Sequence, residues 1–206
     1  MDIKKFIISE MGVNCYLIHD NKEAILIDAS FYPKEIEKYI DNNYLKLSAI
    51  LITHAHFDHI AGIEHLRKKY DSPVYIHQNE CEWLVNPSLN GSELFPYFGK
   101  VVCRRSENHI IGDTHYNIGN FKIEVIFTPG HSPGGVSYKI ENYLFTGDTL
   151  FYHSIGRTDF IGGNQNKLLK SIKNKLFVLP EETIVLPGHG EQSTIGEEKK
   201  NNPYIK

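Results

Sequence analysis

The sequence predicts an α+β fold, an αββα sandwich in which two β layers lie between two layers of helix. Three observations carry that expectation. Each half of the chain reads as strands, helix, strands, helix. Four apolar runs of strand length end abruptly in a turn bearing histidine or aspartate, as buried strands do at a sandwich edge. These are Ile50-Leu51-Ile52-Thr53-His54, Val125 to His131, Tyr143 to Asp148 and Ile184 to His189. The chain has 206 residues and 41% hydrophobic content, enough for a real core, and is read as a single domain over residues 1–206.

Taken in order, Ile3 to Ser9 and Val13 to Ile18 form two strands around Glu10-Met11-Gly12, and Ala24 to Asp28 a third. Pro33 suits the first turn of a helix, with Ile36, Tyr39 and Ile40 on one face. Ala49 to Thr53 is the next strand. From Asp58 the spacing of Ile60, Ile63, Leu66 and Tyr70 predicts one helix. Val74 to His77 is a short strand, followed by a short helix to Leu84. Asn86 to Gly99 lacks periodicity and reads as a long surface loop. Its Phe95-Pro96-Tyr97-Phe98 segment is expected to be a lid, a dimer contact or a loop packed on its own domain. Phe121 to Thr128 is a strand. Gly135 to Ile140 and Tyr143 to Thr146 form a hairpin, and Leu168 to Phe177 a helix. Thr183 to Leu186 is the last strand, before a short helix near Thr194.

The formal charge of -3 and the lack of a basic block argue against nucleic acid or an anionic membrane as partner. The N-terminal apolar run is too short for a signal peptide, and no stretch is long enough to span a bilayer. Three cysteines, Cys15, Cys81 and Cys103, without CxxC spacing, read as free thiols of a cytoplasmic protein.

The segment Thr53-His54-Ala55-His56-Phe57-Asp58-His59 places three histidines and an aspartate at a strand end. Imidazole and carboxylate are ligands for zinc and for non-haem iron or manganese. With His131, Asp148 and His189 at other strand ends, the candidates number seven. A structural zinc site closes with four, so seven imply an open site for two metals. All six other histidines (His19, His65, His77, His109, His115 and His153) are expected to be surface or hydrogen-bonded side chains. Asp28 is expected to hold a ligand histidine by its other ring nitrogen.

His-x-His-x-Asp-His, followed in order by His131, Asp148 and His189, resembles the metallo-β-lactamase superfamily over nearly the whole chain. The resemblance implies one metal held by His54, His56 and His131 and a second held by Asp58, His59 and His189. Asp148 would bridge both. The implied cofactor is two divalent metal ions, Zn2+ first, with Fe or Mn admitted because no thiolate is present. The implied chemistry is hydrolysis by a metal-bridging hydroxide, with Asp58 also orienting the nucleophile. True β-lactamases of this fold commonly carry cysteine in place of Asp148 and another residue in place of His59, unlike this chain.

Thr146-Gly147-Asp148-Thr149-Leu150-Phe151 with Gly156-Arg157-Thr158-Asp159-Phe160 is most similar to glyoxalase II-like (hydroxyacylglutathione hydrolase-like) thioesterases of the short bacterial type. That implies a small-molecule thioester or ester substrate, with Arg157 at the basic substrate-binding position. Arg157 is equally consistent with a brace that pairs with Asp159 or Asp28. Asp159 stands where the family has a tyrosine, and no C-terminal helical domain is expected after Pro203-Tyr204-Ile205. Both departures bear on glutathione specificity. An alternative is a persulfide dioxygenase, which shares the Gly-Arg-Thr-Asp-Phe stretch and uses one iron, here at His54, His131 and Asp148. Its Pro-Ala-His-Asp is replaced here by Pro187-Gly188-His189-Gly190. A non-catalytic metal-binding protein would have lost ligands, and none is missing.

Overall fold

Side chains along β2 (Val13–Asp20) enter two different cores in alternation. Cys15 and Leu17 join one cluster, Tyr16 and Ile18 another. β3 (Glu23–Ile27) repeats the pattern, with Ala24 and Leu26 on one side and Ile25 and Ile27 on the other. A strand alternates its side chains between two faces, so a continuous apolar run must be covered on both. The computed structural model describes residues 1–205 and shows how that is met. One six-stranded sheet runs in sequence order: β1 (Asp2–Ile8), β2, β3, β4 (Lys46–Leu51), β5 (Val74–His77) and β6 (Asn108–Ile110). The second has the order β14 (Ser193–Thr194), β13 (Ile184–Pro187), β10 (Tyr143–Gly147), β9 (Val136–Ile140), β8 (Phe121–Phe127) and β7 (Thr114–Ile118). β11 (Leu150–Phe151) and β12 (Ser154–Ile155) form a separate small hairpin.

The cluster between the sheets takes Ile25, Ile27 and Leu51 from the first and Ile123, Val125, Tyr138 and Phe145 from the second. Each large aliphatic side chain buried here is worth roughly 1.5–3 kcal/mol. The outer face of the first sheet is covered by α1 (Lys34–Asn42), through Ile36 and Ile40. After α2 (Phe57–Ile60), α3 (Ile63–Tyr70) adds Ile63 and Leu66 to that face. The outer face of the second is covered by α4 (Gln165–Ser171), continued by a wider π-type turn, and by α5 (Ile195–Asn201). The fold is the αββα sandwich expected. No helix among the described residues is long and apolar enough to cross a membrane.

Three local readings change. The single helix expected from Asp58 to Tyr70 is two, α2 and α3. At the break, Gly62 N–H donates to the Ala29 carbonyl oxygen at 2.8 Å, and a Cβ on Gly62 would collide with Ser30. Helical periodicity carries no signal for so close a backbone approach. β6 and β7 were not expected, because polar residues that are exposed, such as His115 and Asn117, or half-buried, such as Asn108, hide their strand character. The Asn86–Gly99 loop contains two short 3-10 turns, Ser92–Leu94 and Pro96–Phe98, and is packed on its own domain. Phe57 N–H donates to the Asn90 carbonyl oxygen at 3.0 Å, and Phe95 stacks on Phe57 at 5.1 Å between centroids.

Chain direction gathers the strand ends. β8 and β10 are each antiparallel to β9, and β13 is parallel to β10, so all three point one way. Two stitches hold the end of β4 against them. Val136 N–H donates to the Thr53 carbonyl oxygen at 2.9 Å, and the Tyr138 hydroxyl to that of Ile52 at 2.8 Å. A third stitch ties β2 to the His189 turn, where Asn14 N–H donates to the Gly188 carbonyl oxygen at 2.7 Å.

Candidate metal centre

All seven histidine and aspartate side chains expected at the site meet at this shared edge. His54 and His56 lie on the loop after β4, and Asp58 and His59 sit in α2. His131, Asp148 and His189 follow β8, β10 and β13. Three sets bring their donor atoms within 4.8 Å of one another: His54, His56 and His131; His54, His59 and Asp148; and Asp58, His59 and His189. His56 Nδ1 faces His131 Nε2 at 2.9 Å, and His59 Nε2 faces His189 Nε2 at 3.3 Å. Asp148 stands between the two groups. Its Oδ2 is 3.6 Å from His131 Nε2 and 3.7 Å from His189 Nε2, and its Oδ1 is 3.5 Å from His59 Nε2. Gly188 makes room for it, since a Cβ there would collide with Asp148 Oδ1.

The outer atoms of the rings fix which nitrogen points inward. His59 Nδ1–H donates to Asp28 Oδ2 at 2.8 Å, as expected of Asp28. His131 Nδ1–H donates to the Arg157 carbonyl oxygen at 2.7 Å, and His189 Nδ1–H to that of Met11 at 3.1 Å. The Thr53 hydroxyl donates to Asp28 Oδ2 at 2.8 Å and so is left to accept from His54 Nδ1–H at 3.1 Å. Four rings therefore turn Nε2 into the cluster, the arrangement that outer hydrogen bonds impose on metal-binding histidines. His54 Nε2 and Asp148 Oδ1 are buried and have no hydrogen-bond partner. Buried polar atoms are normally paired. A divalent cation among these lone pairs would satisfy both, and the nitrogen and oxygen donors suit zinc, iron or manganese. The residues fit the cofactor.

Charge is distributed unevenly. Burial, reinforced by neighbouring imidazoles, pushes the pKa values of His54 and His56 well down, and that of His131 down. Burial also works against a charge on His59, but Asp148, Asp58 and Asp28 override it and raise its pKa to about 10. Burial opposes ionisation of Asp58, yet His59 and His189 hold its carboxyl below the usual carboxylate range.

One residue of the site was not anticipated. Glu80, wholly buried on a 3-10 helix (Gln78–Trp83), accepts from Ala55 N–H at 2.5 Å and from Gly134 N–H at 2.6 Å. It clamps the His54–His56 loop to the His131 turn. Its partners are backbone amides far away in sequence, so no motif marks it. The only available signal is an acid at an otherwise buried position.

A pocket of about 230 Å³ opens beside the cluster. His56, Asp58, His131, Asp148 and His189 line it, together with Leu89, Leu94 and Phe95 of the long loop and with Arg157 and Phe160. Arg157 takes the bracing arrangement. Its Nε and Nη2 donate to the two carboxylate oxygens of Asp159, each at 2.7 Å, and its guanidinium lies 3.9 Å from the Phe160 ring centroid. Of the remaining histidines, His77 is buried and stacked on Phe127, His19 bonds the Tyr39 hydroxyl, and His153 pairs with Glu197. All three cysteines are free and buried.

Residues 8–189 match the family model of the metallo-beta-lactamase superfamily. The chain belongs to that superfamily. Among similar proteins is "Probable metallo-hydrolase YqgX" of Bacillus subtilis, 43% identical over 100% of this chain and 98% of the relative. "Hydroxyacylglutathione hydrolase GloC" of Haemophilus influenzae is 31% identical over 100% of this chain and 98% of the relative. Among solved structures, BLEG-1 B3 metallo-beta-lactamase is 40% identical with a TM-score of 0.96, covering 100% of both chains. TTHA1623, solved in a di-iron-bound form, is 30% identical with a TM-score of 0.84, covering 98% of this chain and 100% of that one. TTHA1623 is thus a similar protein solved with two irons, and the seven clustered side chains of this chain lie within the matched span 8–189.

Proposed function

We propose that the chain hydrolyses small-molecule thioesters or related esters, with two divalent cations as cofactors. The observation that carries this reading is a seven-donor cluster shared through Asp148 at the wall of a pocket. His54, His56 and His131 would hold one cation and Asp58, His59 and His189 the other, with Asp148 common to both. When bound, such cations supply Lewis-acid polarisation of a carbonyl and a water acidic enough to attack near neutral pH.

The chain's own residues do the remaining work. Asp28, the Arg157 carbonyl and the Met11 carbonyl fix three rings in the tautomer that faces inward. Asp58 lines the pocket with an ionised carboxylate, which can orient the attacking water by accepting its hydrogen bond. Phe57 and Phe95 exclude bulk water from one side. The likeness to GloC supports a thioester substrate. The likeness to BLEG-1 makes β-lactam opening the competing hydrolysis. The complete set Asp58, His59 and His189 supports two cations over the single iron of a dioxygenase.

The test uses the protein loaded with zinc, iron or manganese. Thiol release from S-lactoylglutathione and from neutral thioesters is compared with opening of a chromogenic cephalosporin and with oxygen uptake on glutathione persulfide. The reading expects thiol release to dominate. Oxygen uptake without thiol release, or cephalosporin turnover without it, overturns it.

A further inference from the structure

We propose that the pocket selects uncharged, apolar acyl groups, and that Asp159 sets this selection by cancelling the charge of Arg157. The inference rests on the thioester-hydrolase reading and names its substrate class. Beyond the cluster itself, Arg157 is, among the described residues, the sole charged side chain lining the pocket. An entering carboxylate would need its guanidinium, but Nε and Nη2 both already donate to Asp159 at 2.7 Å. One face of the guanidinium is covered by Phe160 at 3.9 Å. The backbone is also anchored, because the Arg157 carbonyl oxygen accepts from His131 Nδ1–H at 2.7 Å. Asp159 lies just outside the pocket lining, so its field partly offsets that of Arg157 for any anion at the mouth. The pair is solvent-exposed and adds little to stability; its consequence is for the charge the pocket presents.

The apolar part of the lining offers a different attraction. Leu89, Leu94, Phe95 and Ile161 line the pocket, and Leu94 and Ile161 are 63% and 52% exposed. An acyl chain laid there removes apolar surface from water on both partners. Leu94 follows Gly91 on a short 3-10 turn whose Ser92 is buried, so the wall is built into the fold.

The experiment measures kcat/KM for a series of N-acetylcysteamine thioesters, all with the same neutral thiol, on the zinc-loaded protein. The acyl group runs from acetyl to hexanoyl, with succinyl as the anionic member. The expected result is a rise of up to about fourfold for each methylene up to hexanoyl, with succinyl at least tenfold below butanoyl. In Asp159→Asn the succinyl-to-butanoyl ratio should rise by roughly tenfold, as Arg157 is released to bind a carboxylate. A preference for succinyl in the wild-type protein overturns the proposal, and so does an unchanged ratio in Asp159→Asn. Either result leaves the hydrolase reading standing, because thiol is still released. Failure to cleave any member of the series overturns the hydrolase reading, and this inference with it.

Discussion

The two halves of the metal cluster are held together by different means. The half formed by His54, His56 and His131 is entirely imidazole, and burial keeps its rings neutral. Its order comes from a frame: Glu80 clamps both turns, and Thr53 and the Arg157 carbonyl orient two of the rings. The half formed by Asp58, His59 and His189 is held by charge. His59 lies among Asp28, Asp58 and Asp148, and His189 Nε2 is 3.4 Å from Asp58 Oδ2. Without a cation the second half can hold itself together by histidine–carboxylate pairing. The first has its frame and the single contact of His56 Nδ1 with His131 Nε2 at 2.9 Å, and His54 Nε2 then has no partner. A two-metal site can thus be preorganised on one side by backbone clamps and on the other by fixed charge.

Asp148, common to both halves, gives the largest expected effect. Asp148→Ala should lower turnover by roughly 10²–10³-fold or more and reduce bound metal from two equivalents to at most one. Metal analysis beside steady-state kinetics checks it, and near-normal turnover would break the comparison at its centre. Next comes Glu80→Ala. Each buried N–H left unpaired costs ~1–3 kcal/mol of stability, and one metal equivalent should bind about 10–100-fold more weakly while the other is nearly unchanged. Glu80→Gln, which keeps one acceptor, should fall between. Chelator-competition titration and thermal unfolding separate the two effects; equal weakening of both equivalents would refute a clamp specific to one half. Asp28→Asn reaches both halves, because Asp28 holds His59 directly and His54 through the Thr53 hydroxyl. It should weaken both equivalents, the His59-containing one by about tenfold.

The smallest effects are in pH. His59 has its folded pKa raised to about 10, above the ordinary 6.5. In metal-free protein its contribution is therefore complete below 6.5 and is lost as pH rises through about 10. His77 behaves oppositely. Burial lowers its pKa to about 4, so its contribution is present above 6.5 and lost as pH falls through about 4. His77 Nδ1 accepts from Asn79 N–H on the helix that carries Glu80, so acid loosens the clamped half and alkali the charged half. Urea unfolding across pH should show a shallower acid limb in His77→Phe, with the alkaline limb unchanged.

Most of this candidate site was legible in the sequence because its histidines and aspartates sit at strand ends, where an apolar run stops. The sandwich was legible for the same reason: β2, β3 and β4 are apolar on both faces. What stayed hidden acts through the backbone. Glu80 meets amide N–H groups and the Met11 carbonyl meets His189, and no side-chain pattern records either contact. β7 was hidden because His115 and Asn117 point to solvent, and the break at Gly62 because helical spacing continues across it. Whether Arg157 faced a substrate or Asp159 could not be read from Gly156-Arg157-Thr158-Asp159-Phe160 alone, since a guanidinium suits both.

The central claim is that two differently built halves share Asp148 and hold two cations. Stoichiometric titration of the metal-free chain with zinc, followed by competition with a chelator, tests it most directly. The account predicts two equivalents per chain in wild type, only one of them sensitive to Glu80→Gln. A single equivalent, or two weakened alike by Glu80→Gln, would contradict it.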